Sequence, residues 1–263
     1  MEQKRMQETA ILVVSFGSTH LDTLEGCIAA TERTIGKALS DYQLYRAFLS
    51  PTVMRSLKKK YDIHVNTVEE ALQQIKEDGY KRVVVQPTLL LKAIEYELLV
   101  KELQKETRLW ISIGRPLLET KEDCEVLASI LIEENPLKTN ETLMLMGHGT
   151  EHEANEVYSV LQQVFEEREY SCLIGTVEGI PSLEDAVNLL VESGASSARL
   201  LPLMFVAGEH AKNDMAGEED SFLSMILEKG IAAHPIFKGL GESEKVQNLY
   251  VKRAFAALEK VEV

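Results

Sequence analysis

Apolar residues along this chain fall into two alternating kinds of stretch. The short kind is a nearly continuous apolar run that stops at glycine or proline: Ala10 to Phe16 before Gly17, Arg82 to Val85 before Gln86-Pro87, and Leu109 to Ile113 before Gly114-Arg-Pro116. Glu141 to Gly147, Cys172 to Val177, Leu200 to Phe205 and Ala232 to Ile236 repeat the pattern, and Gln43 to Phe48 is a more polar variant. Runs of this length predict strands buried on both faces, as in a parallel sheet.

The long kind is amphipathic and carries helix punctuation. Helices are predicted over about 24–39, from Ser50-Pro51, from Thr67 to Gly79, through Thr88–Glu97, and over about 121–134, 153–167, 182–193, 220–229 and 243–259. Ser50 precedes a proline at the first helical position. Thr67 stands three residues before Glu70, the spacing of a capping box, and Gly79 suits the residue just past a helix end. Strands alternating with helices predict βαβ units, and so an α/β protein with parallel sheets covered by helices.

The order of elements runs twice. Ile11–Gly17 matches Leu143–Gly149, an apolar run with a glycine at the same place, each followed by a threonine and a histidine. Gly79–Pro87 and Gly194–Pro202 have equal length, and counting on from the prolines sets Glu95 opposite His210. The chain is therefore expected to form two similar α/β lobes, 1–125 and 126–263, with a small-molecule cleft between them.

Three polar groups follow three successive strands of the second half: His148, Glu178 and His210. In open α/β sheets the carboxyl ends of strands border the ligand crevice. Gly147 and Gly149 flank His148 and are expected to clear space for a flat ligand or an ion. Two imidazoles and one carboxylate suit a divalent first-row ion such as Co2+, Fe2+ or Ni2+ and leave positions open for water or substrate. Insertion of metal into a tetrapyrrole needs such a site: the ion must be partly dehydrated, loosely held, and released as pyrrole nitrogens lose two protons. A histidine or carboxylate at the site can take those protons.

Composition narrows the alternatives. With 45% hydrophobic and 27% charged residues this is an ordinary globular composition, and a net charge of -14 disfavours nucleic acid or an anionic membrane as partner. Cys27, Cys124 and Cys172 are scattered, so nitrogen and oxygen donors are expected at any metal. The N-terminal stretch has no signal-peptide pattern and no apolar run reaches a membrane span, which predicts a cytoplasmic protein. Gly-x-Gly-x-x-Gly, P-loop, His-Glu-x-x-His and Gly-x-Ser-x-Gly motifs are all absent, so no nucleotide is expected.

Three segments carry a family resemblance: Met146-Gly-His-Gly-Thr-Glu-His152-x-Ala-Asn155, Gly175-Thr-Val-Glu-Gly-Ile-Pro181, and Pro202-Leu-Met-Phe-Val-Ala-Gly-Glu-His-Ala-Lys-Asn-Asp-Met-Ala-Gly217. They resemble the sirohydrochlorin cobaltochelatases of the CbiK type, within the class II chelatases that include ferrochelatases. The resemblance implies two flavodoxin-like lobes, a macrocycle in the cleft, and metal held by His148, Glu178 and His210. It implies a lyase that inserts Co2+ into sirohydrochlorin without ATP in anaerobic cobalamin (vitamin B12) biosynthesis. His148 and His210 would be catalytic, with Glu95 the contribution of the other lobe. Fe2+ insertion to give sirohaem, or a carrier that binds tetrapyrrole or metal without turnover, are the alternatives, and a homo-oligomer is left open. Because the substrate is polyanionic, a basic rim drawn from Arg46, Arg55, Lys92, Arg115 and Lys212 is expected.

Overall fold

The first apolar run forms β1 (Thr9–Ser15), and all of it is buried because it lies inside a sheet with a strand on each side. A computed structural model, which describes residues 8–208 and 212–262, sets β1 between β2 (Gln43–Phe48) and β3 (Arg82–Pro87), with β4 (Trp110–Ile113) at the edge. The order is β2-β1-β3-β4 and every pairing is parallel.

The helices between these strands obey their local signals. The first begins as Leu21–Thr23, continues as a π-helical stretch over Leu24–Ala29, and becomes regular in α1 (Ala30–Ala38). In α2 (Pro51–Tyr61) the Ser50 hydroxyl caps the Val53 N–H, and in α3 (Val68–Glu77) the capping box of Thr67 and Glu70 is complete. α4 (Ile94–Leu103) buries Tyr96, Leu99 and Leu103. The core between sheet and helices includes Leu12, Val14, Leu72, Ile75, Val83, Val85 and Leu99.

The second sheet repeats the plan. After α5 (Lys121–Glu134) come β5 (Glu141–Gly147), α6 (Glu156–Glu167), β6 (Cys172–Thr176), α7 (Leu183–Glu192), β7 (Ser197–Pro202), α8 (Phe222–Glu228) and β8 (Ala232–Pro235). Their order, β6-β5-β7-β8, is again all parallel. Both sheets therefore have the flavodoxin-like order, in which the switch point lies between the first and third strands in sequence. The repeat extends to single hydrogen bonds. Thr88 N–H donates to Val14 O and Leu203 N–H to Met146 O, both at 2.8 Å; Leu117 donates to Leu89 and Leu240 to Met204, both at 2.9 Å.

Two boundaries differ from those read in the sequence. The run Leu200–Phe205 is not one strand: β7 starts at Ser197 and leaves the sheet after Pro202, because its neighbour β5 ends at Gly147. Leu203, Met204 and Phe205 are apolar because they are buried beside the strand ends, past the last residue of β7. The chain also divides into compact units of 1–117 with 241–263, and 118–240. The terminal helix Glu244–Glu262, which the sequence order places with the second half, packs on α1, β3 and β4. There the Tyr250 hydroxyl donates to Leu89 O at 3.2 Å. α5, which follows the first half, packs on α6 in the second unit. Each half thus gives its last helix to the other unit.

Candidate metal-handling site at the strand ends

The second sheet brings His148 and Glu178 together at its carboxyl edge. β5 and β6 pair as far as Gly147 and Thr176. Beyond that the backbones stay paired: Val177 N–H donates to Gly147 O at 3.2 Å and Glu178 N–H to His148 O at 2.8 Å. This extension places His148 Nδ1 3.8 Å from Glu178 Oε2, with the two side chains 43% and 64% exposed. The separation is too long for a hydrogen bond, but both groups are open to a ligand from solvent.

The imidazole is oriented from below. Its Nδ1 lies 3.0 Å from Gly149 O, and a carbonyl oxygen only accepts, so that contact requires the proton on Nδ1 and, in the neutral ring, puts the lone pair on Nε2. Metal-binding histidines use this arrangement, one ring nitrogen held by a carbonyl and the other kept for the ion. Glu178 stands on the Nδ1 side. Sharing an ion with Nε2 requires its exposed carboxylate to turn, which its rotatable bonds permit.

The glycines around His148 have a different role from the one expected of them. They do not hold space open for a ligand: protein atoms already occupy it. A Cβ on Gly147 would lie 2.7 Å from the Tyr158 ring, and one on Gly149 would lie 2.7 Å from Gly179 N and 2.9 Å from Thr176 Cβ. Gly149 also has φ +80, a conformation that favours glycine. The glycines let the two loops and the Tyr158 ring approach one another. Tyr158 is buried, and that burial pushes its phenol up to about 12 against a smaller opposing effect of its hydrogen bond with the Gly149 backbone.

Asn155 and Thr176, which carry no metal-binding signal in the sequence, complete the frame. Thr150 N–H donates to Asn155 Oδ1 at 3.1 Å, and Asn155 Nδ2 donates to Ile180 O at 2.6 Å. Thr176 Oγ1 donates to Pro181 O at 2.8 Å. Asn155 does stand in the segment His152-x-Ala-Asn155, but a linear pattern does not say which carbonyl an amide will meet. His152 caps the turn Glu153–Asn155, accepting from Ala154 N–H at 3.1 Å through Nδ1.

The remaining candidates divide as follows. His210 lies outside the described residues. Among the described residues no group of three or more His, Cys, Asp or Glu side chains is placed to hold a metal ion; His148 and Glu178 form a pair. Glu95 is exposed in the first turn of α4, on the first unit. All three cysteines are buried and none forms a disulfide, and burial pushes the Cys124 thiol up to about 12, so thiolate ligation has no support. Of the expected basic rim, Arg46 is committed elsewhere: its guanidinium is held by Glu32 through Nε at 2.8 and 3.0 Å and again through Nη2. Arg55, Lys92, Arg115 and Lys212 are exposed.

Two flavodoxin-like parallel sheets, one with a histidine and a carboxylate at its carboxyl edge, define an α/β chelatase. SirB from Bacillus subtilis with Fe3+ has the same fold, with a TM-score of 0.67 at 16% identity and 95% of each chain covered. The family model for cobalt chelatase (CbiK) matches residues 9–259, and this chain belongs to that family. A sirohydrochlorin cobaltochelatase of Salmonella typhimurium is 35% identical over 253 residues, 95% of this chain and 96% of the relative. The sirohydrochlorin cobaltochelatase CbiKC of Nitratidesulfovibrio vulgaris is 28% identical, covering 98% and 93%. Among the described residues no helix is long and apolar enough to cross a membrane.

Proposed function

We propose that this chain is a sirohydrochlorin cobaltochelatase, inserting Co2+ into sirohydrochlorin without ATP as a step of anaerobic cobalamin biosynthesis. The observation that carries the proposal is the His148–Glu178 pair at 3.8 Å, on the sheet edge where this fold presents its ligands, in a chain of the cobalt chelatase family. His148, Glu178 and His210 are the donors to the substrate metal, and the reaction belongs in the cytoplasm, where three buried cysteines that form no disulfide persist as thiols.

The mechanism follows from weak, exchangeable binding. Neutral imidazole and carboxylate oxygen hold a first-row dication less tightly than thiolates would, so pyrrole nitrogens can displace them one at a time. His148, with Nδ1 held by Gly149 O, presents a lone pair of fixed direction. Glu178, mostly exposed, can follow the ion as its coordination changes. His148, His210 and Glu95 are the groups assigned to catalysis, with Glu95 a carboxylate able to accept a pyrrole proton.

Anaerobic incubation of limiting enzyme with sirohydrochlorin and Co2+, Fe2+ or Ni2+ in parallel tests this. Many turnovers with Co2+ are expected, fastest of the three ions. A spectral change that stops at one equivalent would mark a carrier, and preferred turnover of Fe2+ would mark a sirohaem-forming enzyme. His210→Ala is expected to abolish insertion with the fold intact, and Glu95→Gln to slow kcat by about a hundredfold, as loss of a general base does, with Co2+ affinity unchanged.

A further inference from the structure

We propose that Asn155 is a positioning residue of the metal-handling site: its side-chain amide ties the loop carrying His148 to the loop carrying Glu178 and so sets how far apart the two donors stand. The inference rests on the reading of His148 and Glu178 as metal donors and adds to it a residue that touches neither metal nor substrate.

Each end of the amide meets a different loop. Oδ1 accepts from Thr150 N–H at 3.1 Å, two residues after His148, and Nδ2 donates to Ile180 O at 2.6 Å, two residues after Glu178. The partners dictate the orientation, since an N–H can only meet the oxygen and a carbonyl only the nitrogen. Gly179 makes the tie possible: a Cβ there would lie 2.5 Å from Asn155 Oδ1. On its other flank Glu178 is held by its own N–H to His148 O at 2.8 Å. Glu178 is therefore clamped between a backbone bond and the Asn155 bridge.

The clamp matters because each donor rides on one of the two loops it joins. With side chains 43% and 64% exposed, His148 and Glu178 stand at the surface, so their separation depends on the two loops that carry them. Groups that orient metal ligands from behind typically contribute about 10- to 100-fold in metal affinity or activity.

The test compares Co2+ affinity, measured by competition with a chromophoric chelator, with insertion kinetics and melting temperature. Asn155→Ala is expected to weaken Co2+ binding by about 10-fold or more, to raise KM for Co2+ in proportion, and to leave kcat at saturating Co2+ within about threefold, with melting shifted by only a few degrees. Affinity within twofold of the parent, whatever the melting temperature, overturns the proposal. Gly179→Ala approaches the bridge from the other side and stands in if Asn155→Ala fails to fold. It should weaken Co2+ binding alone, and Asn155→Ala/Gly179→Ala should lose clearly less than the product of the two single losses, because the nearest obstruction, Asn155 Oδ1, is gone while Thr176 Oγ1 stays at 3.0 Å. Multiplicative losses in the double variant would count against the bridge. His148→Ala separates the two readings. If it leaves Co2+ affinity intact, the donor assignment fails; if it removes binding while Asn155→Ala does not, only the positioning role fails.

Discussion

The carboxyl ends of β1 and β5 are the same piece of backbone carrying different chemistry. Each strand has seven residues, and the second residue beyond each is a glycine at positive φ, Gly17 at +102 and Gly149 at +80. Between strand and glycine stands Phe16 in the first unit and His148 in the second. The next loop pairs back identically: Ser50 N–H reaches Phe16 O at 3.2 Å and Glu178 N–H reaches His148 O at 2.8 Å. Ser50 thus occupies the station of Glu178. One half carries an aromatic ring and a capping hydroxyl where the other carries an imidazole and a carboxylate. The fold provides the same stations at both sheet edges, and on the proposed reading metal chemistry belongs to the edge whose side chains can donate electron pairs.

The strongest test of that comparison transplants one half into the other. His148→Phe copies the first unit's residue onto an equivalent, half-exposed position, so stability should change by less than about 1 kcal/mol. Metal coordination typically supplies several kcal/mol to reactions of this kind, so kcat/KM for Co2+ insertion is expected to fall at least about a thousandfold. Steady-state kinetics beside a melting curve decides; a well-folded variant with near-parent turnover would show that the second sheet edge is not the metal site.

The two positive-φ glycines give a smaller and more discriminating contrast. A Cβ on Gly17 would lie 2.8 Å from the Phe48 ring and one on Gly149 would lie 2.7 Å from Gly179 N. Gly17→Ala and Gly149→Ala should each cost about 2–4 kcal/mol of stability, from backbone strain and overlap together. They should part company on metal. Gly149→Ala drives the His148 and Glu178 loops apart and is expected to lower Co2+ affinity about tenfold, as displaced supporting groups do, whereas Gly17→Ala leaves it unchanged. Denaturant titration and metal competition on both variants check the two halves of that statement.

Much of this is legible in residue order, and the failures share one cause. Apolar runs closed by glycine or proline locate the strands, and the match of Ile11–Gly17 with Leu143–Gly149 anticipates that β1 and β5 are equivalent. What residue order hides is anything decided by a partner distant in sequence. Leu203–Phe205 look like strand because burial, which makes them apolar, is the same for a strand and for a loop beneath one. The terminal helix looks like part of the second half because nothing in its amphipathic pattern names α1, β3 and β4 as the surface it covers. Gly147 and Gly149 suggest room for a ligand because sequence shows the missing side chain, not the Tyr158 ring and the Gly179 amide that fill the space. Arg46 counts as a rim cation only as long as Glu32, fourteen residues earlier, is not known to hold its guanidinium.

The smallest expected effect comes from the reverse transplant, Phe16→His. Phe16 is 48% exposed, so the substitution should cost less than about 1 kcal/mol, and the backbone would deliver an imidazole at the station His148 occupies in the second unit. A second Co2+ site should nevertheless not appear. The neighbouring station holds Ser50, whose side chain is buried and whose Oγ already accepts from Val53 N–H at 3.3 Å as a helix cap. A neutral hydroxyl so engaged supplies neither the charge nor the readily available lone pair of a carboxylate, and one imidazole alone leaves most of the ion's coordination to water. Equilibrium dialysis should therefore find one Co2+ per chain in both parent and variant, with unchanged affinity. A second equivalent bound by Phe16→His would mean that the backbone stations and a single histidine suffice, and that the loop carrying Glu178, rather than its carboxylate, is what the second unit contributes beside His148.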